Sequence, residues 1–311
     1  MDDAGEKWLL PPPTAWKMEY ASGTPCDSFW MRCPWSGDNE ADPARWTRFL
    51  AEHEEERVFT GVVDECQVSQ DGNGCVLEVS GRGMAALLLD NEALGEDYGT
   101  ATLEDILRDH VTPYGIERAD RKNLPAVTQF SVATGSSEWS VLYDFARYHG
   151  GVTPRFDRMG RLVLEPPADD REVLVGDGIR VTELVCRDKR YGVLSEVLVR
   201  DRYSGKVHSV KNEAFCAAGG QTRRVLTMPG KSNYKAMRYT GEFQLQNSAA
   251  ELERLELTVA EVFRVWPGDL VRISRSGWVR NGLFRAVQVT AGMDDKGYWS
   301  RLELAPPDVT I

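Results

Sequence analysis

The sequence has few of the residues from which metal sites and disulfide frameworks are built. Its 311 residues include six cysteines and four histidines. No two cysteines form a C-x-x-C pair, and no two histidines are close in sequence. A zinc site, a disulfide scaffold and histidine-dependent catalysis are therefore not expected. We predict no bound metal and no cofactor.

Long apolar runs are also missing. The longest clean run, residues 84–89, is about a third of the ~18 residues that a membrane-spanning helix needs. The N-terminus begins Met1-Asp2-Asp3 and lacks the basic and then apolar pattern of a secretory signal. We therefore predict a protein with no membrane-spanning segment that is cytoplasmic at synthesis.

The chain as a whole has no excess of positive charge, but one segment of it does. The net charge of −11 disfavours a nucleic-acid-binding protein, which needs surplus lysine and arginine to neutralise phosphates. Residues 1–110 contain 23 acidic and 8 basic residues, whereas residues 187–238 contain 12 basic and 4 acidic residues. Such a separation occurs where members of an assembly meet, although a solvated surface or a path for nucleic acid can also produce it.

The basic segment supplies the candidate assembly interface. Alternation along a hairpin predicts that Arg200, Arg202, Lys206 and His208 share one face. The complete set of predicted interface residues is Arg187, Lys189, Arg190, Arg200, Arg202 and Lys206.

The pattern of the first hundred residues is typical of strands. Residues 57–68 and 75–80 flank the turn Asp71-Gly72-Asn73-Gly74, which predicts a hairpin in which position 75 faces position 70 and position 66 faces position 79. Cys66 and Cys75 are then not disulfide partners.

The middle of the chain contains helix signals. Thr102 and Asp105 form a capping-box pattern that predicts a helix from about 103 to 111. A second helix is predicted from Ser136 or Ser137 to Gly150, followed by a hairpin over residues 153–165.

The remainder of the chain, beyond a boundary at Pro166-Pro167, has an almost wholly β pattern. Because the chain exceeds the roughly 250–300 residues at which a single core stops growing, we expect more than one packed unit. We predict a β-rich α+β fold with β-rich modules at both ends and a small α/β domain between them. The predicted domains are an N-terminal domain (1–95), a small α/β domain (96–167) and a C-terminal β-rich region (168–311).

Motifs that could indicate catalysis or ligand binding have simpler structural explanations. Residues 81–86 match the dinucleotide pattern G-x-G-x-x-A, but no parallel βαβ unit surrounds them, so a tight strand-to-helix turn is preferred. Ser136-Ser137-Glu138 is explained as a helix start, since no histidine partner is evident.

Residues 294–297 are interpreted as a hairpin turn rather than a calcium loop. Two clusters of acidic residues, Asp169-Asp170 and residues 54–56, could act in acid–base catalysis only if one carboxyl group were buried. Both clusters lie in polar sequence that is expected to be exposed. We predict no catalytic residues and no enzyme activity.

The order of these features resembles the baseplate hub proteins of contractile phage tails and related tail-like particles, the Mu-like hub and late-control protein D group. The segments that carry the resemblance are VFTGVV at 58–63, LEVSGR at 77–82, LLD at 88–90, TLEDIL at 102–107, YGI at 114–116, GSSEWSVL at 135–142, FDRMGRL at 156–162 and PGDLV at 267–271.

The resemblance implies a structural protein of the virion tail or baseplate, assembled in the bacterial cytoplasm, and no catalysis. It also implies that residues 1–95 form a β-barrel-like domain and that residues 168–311 contain a second barrel-like domain. Hubs of this family resemble trimers that form a ring between the tail tube and the spike and surround the end of the tape-measure protein. The implied partners are further copies of the chain, the spike protein, the tail tube and tape-measure proteins, and other baseplate proteins. The alternatives are a distal-tail or tail-tip protein of a non-contractile phage and a cell-wall carbohydrate-binding module.

Overall fold

The computed structural model describes residues 1–2, 4–21, 25–36, 42–72, 74–166, 168–228, 234–250 and 253–309. Asn73 of the predicted hairpin turn and Pro167 of the predicted boundary lie outside the described residues. Strands make up 45% and helices 17% of the structure, which confirms the prediction of a β-rich α+β fold.

The elements of the N-terminal region are β1 (Ala15–Ala21), β2 (Ser28–Pro34), β3 (Arg48–His53), β4 (Glu56–Asp71), β5 (Gly74–Gly83) and α1 (Ala86–Leu89). The middle region contains β6 (Glu96–Ala101), α2 (Leu103–His110), β7 (Val127–Val132), α3 (Glu138–Tyr143), β8 (Arg155–Phe156) and β9 (Leu162–Val163). The C-terminal region contains β10 (Glu172–Gly176), β11 (Val181–Asp188), β12 (Glu196–Arg200), β13 (Val207–Lys211), α4 (Glu213–Ala217), β14 (Arg223–Thr227), α5 (Tyr234–Ala250), β15 (Glu253–Val259), β16 (Leu270–Ser274), β17 (Gly282–Asp294) and β18 (Gly297–Ala305).

One mixed, mainly antiparallel sheet of eleven strands joins the two ends of the chain. Its path runs β11-β15-β18-β17-β1-β2-β5-β4-β3, with β16 pairing β17 and β10. Strand β1 makes the connection, because it pairs with β2 on one side and with β17 on the other. Among the described residues no sheet closes into a barrel. The predicted pair of separate β-barrel-like domains is therefore not confirmed.

The predicted hairpin formed by β4 and β5 is confirmed in detail. Cys75 lies opposite Gln70 and Cys66 lies opposite Val79. Neither cysteine forms a disulfide bond. Turn residues set the register of a hairpin, so this pairing could be worked out from the sequence.

Both predicted helices of the middle region form, and both begin at the predicted caps. Thr102 Oγ1 accepts a hydrogen bond from the Asp105 N–H group at 3.2 Å, and Asp105 Oδ2 accepts one from the Thr102 N–H group at 3.0 Å. Ser137 caps α3. Helix α3 continues as a π-helix over Asp144–His149, so the helical stretch ends where the sequence predicts.

The buried apolar side chains of the described residues form four clusters. The N-terminal strands bury aromatic residues, including Phe29 and Phe49, whose ring centroids are 3.8 Å apart. The cluster of the middle region also takes in Val62 of β4 and residues 84–88, and α1 packs against α3. A third cluster lies under β15–β18, and a fourth lies between α5 and the sheet of β12–β14. The domain boundaries at 95/96 and 167/168 stay a prediction.

Helix α5 is the main element that the sequence analysis missed. The prediction of an almost wholly β region beyond residue 168 is wrong for residues 234–250. Thr240 and Gly241 lie in the middle of this helix, and both have low helix propensity. Packing of α5 on β12 and β13 stabilises the helix in spite of that propensity.

Candidate assembly surfaces

Three of the predicted interface cations surround the turn between β12 and β13. Asp201 directly follows β12 and is 2% exposed. Its Oδ1 accepts hydrogen bonds from the N–H groups of Tyr203 at 3.1 Å and Ser204 at 2.6 Å, which fixes the turn. The cations around this turn are Arg200, Arg202 and Lys206, all exposed.

The predicted face of this hairpin is wrong for one residue. Arg200 lies opposite Val207, and Val199 lies opposite His208. His208 therefore shares the inner face with the fully buried Val199, and Arg200 lies on the outer face. The strand ends at Arg200, so the alternation assumed from the sequence does not continue through the turn.

The other three predicted interface cations lie at an edge of the eleven-stranded sheet. Arg187 is on β11, and its Nη2 is 2.9 Å from Glu256 Oε1 on β15. Lys189 and Arg190 follow in the exposed segment after this strand. The six predicted residues thus form two groups on two different sheets.

The outer face of the three-stranded sheet contains residues that the sequence analysis did not select. The strand order is β13-β12-β14, with β12 antiparallel to β13 and parallel to β14. Leu198 lies between Ser209 and Val225, and Glu196 lies between Lys211 and Arg223. Only the pairing shows that strands remote in sequence bring these side chains together.

A buried polar network links the end of α2 to the start of α3. His110 Nδ1 is 2.6 Å from Glu138 Oε2, and the Tyr114 hydroxyl donates to Glu138 Oε1 at 3.0 Å. The Tyr98 hydroxyl is 3.1 Å from His110 Nε2 and donates to Asp109 at 3.0 Å. His110 and Glu138 are only 4% and 6% exposed. The network holds two helices together.

This network corrects one premise of the sequence analysis. Glu138 does have a histidine partner, His110, which is 28 positions away in the sequence. Ser137, however, accepts a hydrogen bond from the Ser140 N–H group as the cap of α3. The geometry therefore supports the helix-start explanation of Ser136-Ser137-Glu138 and gives Ser137 no contact with the histidine.

The other motifs take structural positions. Gly81 and Gly83 lie within β5 rather than in a turn, and a Cβ atom at Gly81 would meet the carbonyl oxygen of Val62. Asp169 is 2.8 Å from Arg285 Nη1. The turn at 294–297 is confirmed, with Asp294 Oδ1 accepting from the Lys296 N–H group at 2.8 Å. Residues 54 and 55 form the exposed turn between β3 and β4.

The described part of the chain shows no group of three or more His, Cys, Asp or Glu side chains arranged to hold a metal ion. No helix of the described residues is long and apolar enough to cross a membrane.

A cavity of about 300 Å³ lies where the N-terminal strands, the β8–β9 hairpin and the segment around Trp266 meet. Asp27 lines this cavity, and burial raises the pKa of its carboxyl to about 7, although a hydrogen bond from the Ala21 N–H group opposes this. The Arg158 guanidinium lies 4.5 Å from the Trp266 ring centre, and Arg171 is 2.8 Å from Asp269. The contact between Arg158 and Trp266 joins the middle and C-terminal regions of the chain.

No protein-family model and no curated protein matches the sequence. Solved structures do match it along almost its whole length. The 43 kDa tail protein of prophage MuSo2 from Shewanella oneidensis is 18% identical, with a TM-score of 0.78 over 96% of each chain. The tail protein of Neisseria meningitidis MC58 is 17% identical, with a TM-score of 0.78 over 96% of this chain and 93% of that chain.

The chain has the fold of prophage tail proteins. This confirms, at the level of the fold, the resemblance that the order of sequence motifs indicated. A component of the E. coli type VI secretion system, described as structurally similar to the T4 bacteriophage tail proteins gp27 and gp5, is also similar. It is 14% identical, with a TM-score of 0.59 over 96% of this chain and 75% of that chain.

Proposed function

We propose that the protein is a structural baseplate hub of a phage or phage-tail-like particle. In this role it forms a trimeric ring that joins the tail tube to the spike and contacts the tape-measure protein and other baseplate proteins. It is then located in the virion tail and assembled in the bacterial cytoplasm. The observation that carries the proposal is the match to a prophage tail protein over 96% of both chains.

The charge distribution supports self-association. A ring of identical copies needs two different, complementary surfaces on each copy, since each copy contacts the next one head to tail. The chain offers an acidic region over residues 1–110 and a basic region over residues 187–238. Opposite charges on the two regions favour contact between different copies and fix their orientation.

The oligomeric state tests this proposal. We expect light scattering of the purified chain to give three times 34.9 kDa at low salt, with partial dissociation at high salt because charge attraction is screened. Negative-stain images of the same sample are expected to show rings.

A second test examines purified phage tails. Purified tails from cells that express the whole tail gene set are expected to contain the chain, and removing it is expected to leave tubes without spikes. A chain that stays monomeric at all concentrations and is missing from purified tails would contradict the hub function.

A further inference from the structure

The three-stranded sheet of β12–β14 has one covered face and one open face. On the covered face Val197 and Val199 are fully buried against α5. The helix approaches so closely that a Cβ atom at Gly241 would lie 2.5 Å from Val210 Cγ2. This face has no room for another partner.

The open face has an apolar centre. Val207 and Val225 lie on the face opposite α5 and are 56% and 62% exposed. Leu198 lies on the central strand beside Val225 and is partly buried. A folded chain in water rarely leaves several large apolar side chains grouped on one face unless that face binds something.

Positive charge surrounds this apolar centre. Glu196 is already engaged, since its carboxylate accepts a hydrogen bond from the Ser209 hydroxyl at 2.7 Å and pairs with Arg223. The ion pairs in the described ranges include none of Arg200, Arg202 and Lys206. Lys211 adds a fourth cation to the face and lies opposite Glu196, whose carboxylate it helps to stabilise. An apolar centre with a charged rim is the usual anatomy of a protein–protein interface.

The chain itself contains a surface of matching charge. Residues 1–110 have a balance of −15, and their β3–β4 turn presents Glu54, whose side chain is 87% exposed, beside the exposed Glu55. This turn connects β3 and β4, the last two strands in the order of the eleven-stranded sheet, whereas the basic face belongs to the three-stranded sheet. Contact between two copies would pair these charges.

We propose that the open face of β12–β14 is the docking surface for a second copy of the chain and that it receives the acidic β3–β4 turn at its basic rim. This inference rests on the proposed function, because it supplies the contact by which copies form the ring. It also separates Arg200, Arg202 and Lys206, which belong to the docking surface, from Arg187, Lys189 and Arg190, which do not.

The test compares the oligomeric state of three variants of the full chain by sedimentation equilibrium. R200E/K211E reverses the rim charge, and V207T/V225T removes the apolar centre while keeping β-branched side chains that suit a strand. K296E/R301E is the matched control, because it makes the same charge change at exposed positions on another sheet. Circular dichroism confirms that each variant is folded.

We expect both face variants to raise the dissociation constant of the oligomer by roughly tenfold or more, and the control to leave it within about twofold. The E54K/E55K variant is expected to weaken assembly in the same way. Combining it with R200E/K211E in one chain is expected to restore assembly, because opposite charges then face each other again.

The possible failures have different meanings. If R200E/K211E and V207T/V225T assemble like the parent chain, the docking surface is wrong and the hub function stands. If they weaken assembly but the combined variant restores nothing, the β3–β4 turn is not the occupant and the proposal is overturned. A parent chain that never associates contradicts both the docking surface and the hub ring.

Discussion

The Glu138 carboxylate accepts hydrogen bonds from the buried His110 and the partly buried Tyr114. Glu138→Ala removes the acceptor and leaves the His110 ring without this partner in the interior, so we expect a loss of about 3 kcal/mol of unfolding free energy. Urea denaturation measures this loss. Glu104→Ala, at an exposed position of α2, is the control and is expected to change stability by less than about 1 kcal/mol. Equal effects of the two substitutions would contradict the role assigned to the network.

Asp27 makes the stability of the folded protein depend on pH. Burial raises the pKa of its carboxyl from 3.8 to about 7 in the folded state. Between these two values the folded state binds a proton that the unfolded state has released, so stability falls as the pH rises from about 4 to 7.

The Asp27→Asn substitution keeps the acceptor for the Ala21 N–H group and removes the charge. We expect the gain in unfolding free energy to be roughly 1–3 kcal/mol larger at pH 8 than at pH 4. This range is set below the value that the full pKa shift would give, because part of the side chain reaches solvent. Urea denaturation at both pH values is the measurement. Asp308→Asn, at an exposed site, is the control. A gain for Asp27→Asn that is the same at both pH values would show that the buried charge is not its cause.

Single residues were predictable from the sequence where their role depends on near neighbours. Ser137 and Thr102 could be identified as caps because the atoms they bind lie three residues away. The pairing of His110 with Glu138, and the position of Val225 beside Leu198, depend on contacts between distant parts of the chain. No local pattern carries that information.

Among the elements, α5 is held by packing rather than by its own propensity. Gly241→Ala improves helix propensity by about 1 kcal/mol, but the added methyl group would lie 2.5 Å from Val210 Cγ2. We expect a net loss of about 1–3 kcal/mol, since overpacking forces α5 away from the sheet. Hydrogen exchange is expected to increase in α5 and β12–β14 and to stay unchanged in β17 and β18. Asn247→Ala, at an exposed position of the same helix, is expected to be neutral or stabilising. A stabilising effect of Gly241→Ala would show that the helix does not need this close approach.

The contrast between the β4–β5 hairpin and α5 shows which elements a sequence can predict. The hairpin register follows from a turn of four residues, and the structure reproduces it. Helix α5 places Thr240 and Gly241 at its centre and packs against Val199 and Val210 and against the π-helix of residues 144–149. The physical cause of the helix therefore lies in elements at least about thirty residues earlier in the chain.

On the scale of the whole molecule, β1 joins the two ends of the chain. Lys17 pairs with Trp30 on β2 and with Gly292 on β17. Lys17→Pro removes a backbone donor from a central strand and is expected to cost about 3 kcal/mol or more. Hydrogen exchange should then rise in both β2 and β17, whereas Lys17→Thr should leave both protected. If exchange rises in β2 alone, the two halves do not unfold as one sheet.

The strand-rich ends could be predicted from the sequence, but their pairing into one sheet could not, because neither residues 16–21 nor residues 288–293 contain a pattern that specifies the other segment as partner.

Strands β11 and β15 also pair, and this places Asp188 directly opposite Glu253. The chain leaves the large sheet at one point and returns beside it, with the whole unit of β12–β14 and α5 in between. In effect the unit is an enlarged hairpin loop. Both ends of the unit are therefore fixed by the pairing of β11 with β15. A third attachment comes from α5, where the Arg147 guanidinium of the π-helix lies 3.5 Å from the ring centre of Phe243. The unit is thus held to the rest of the molecule at both of its ends and along its helix, which restricts its rotation relative to the large sheet.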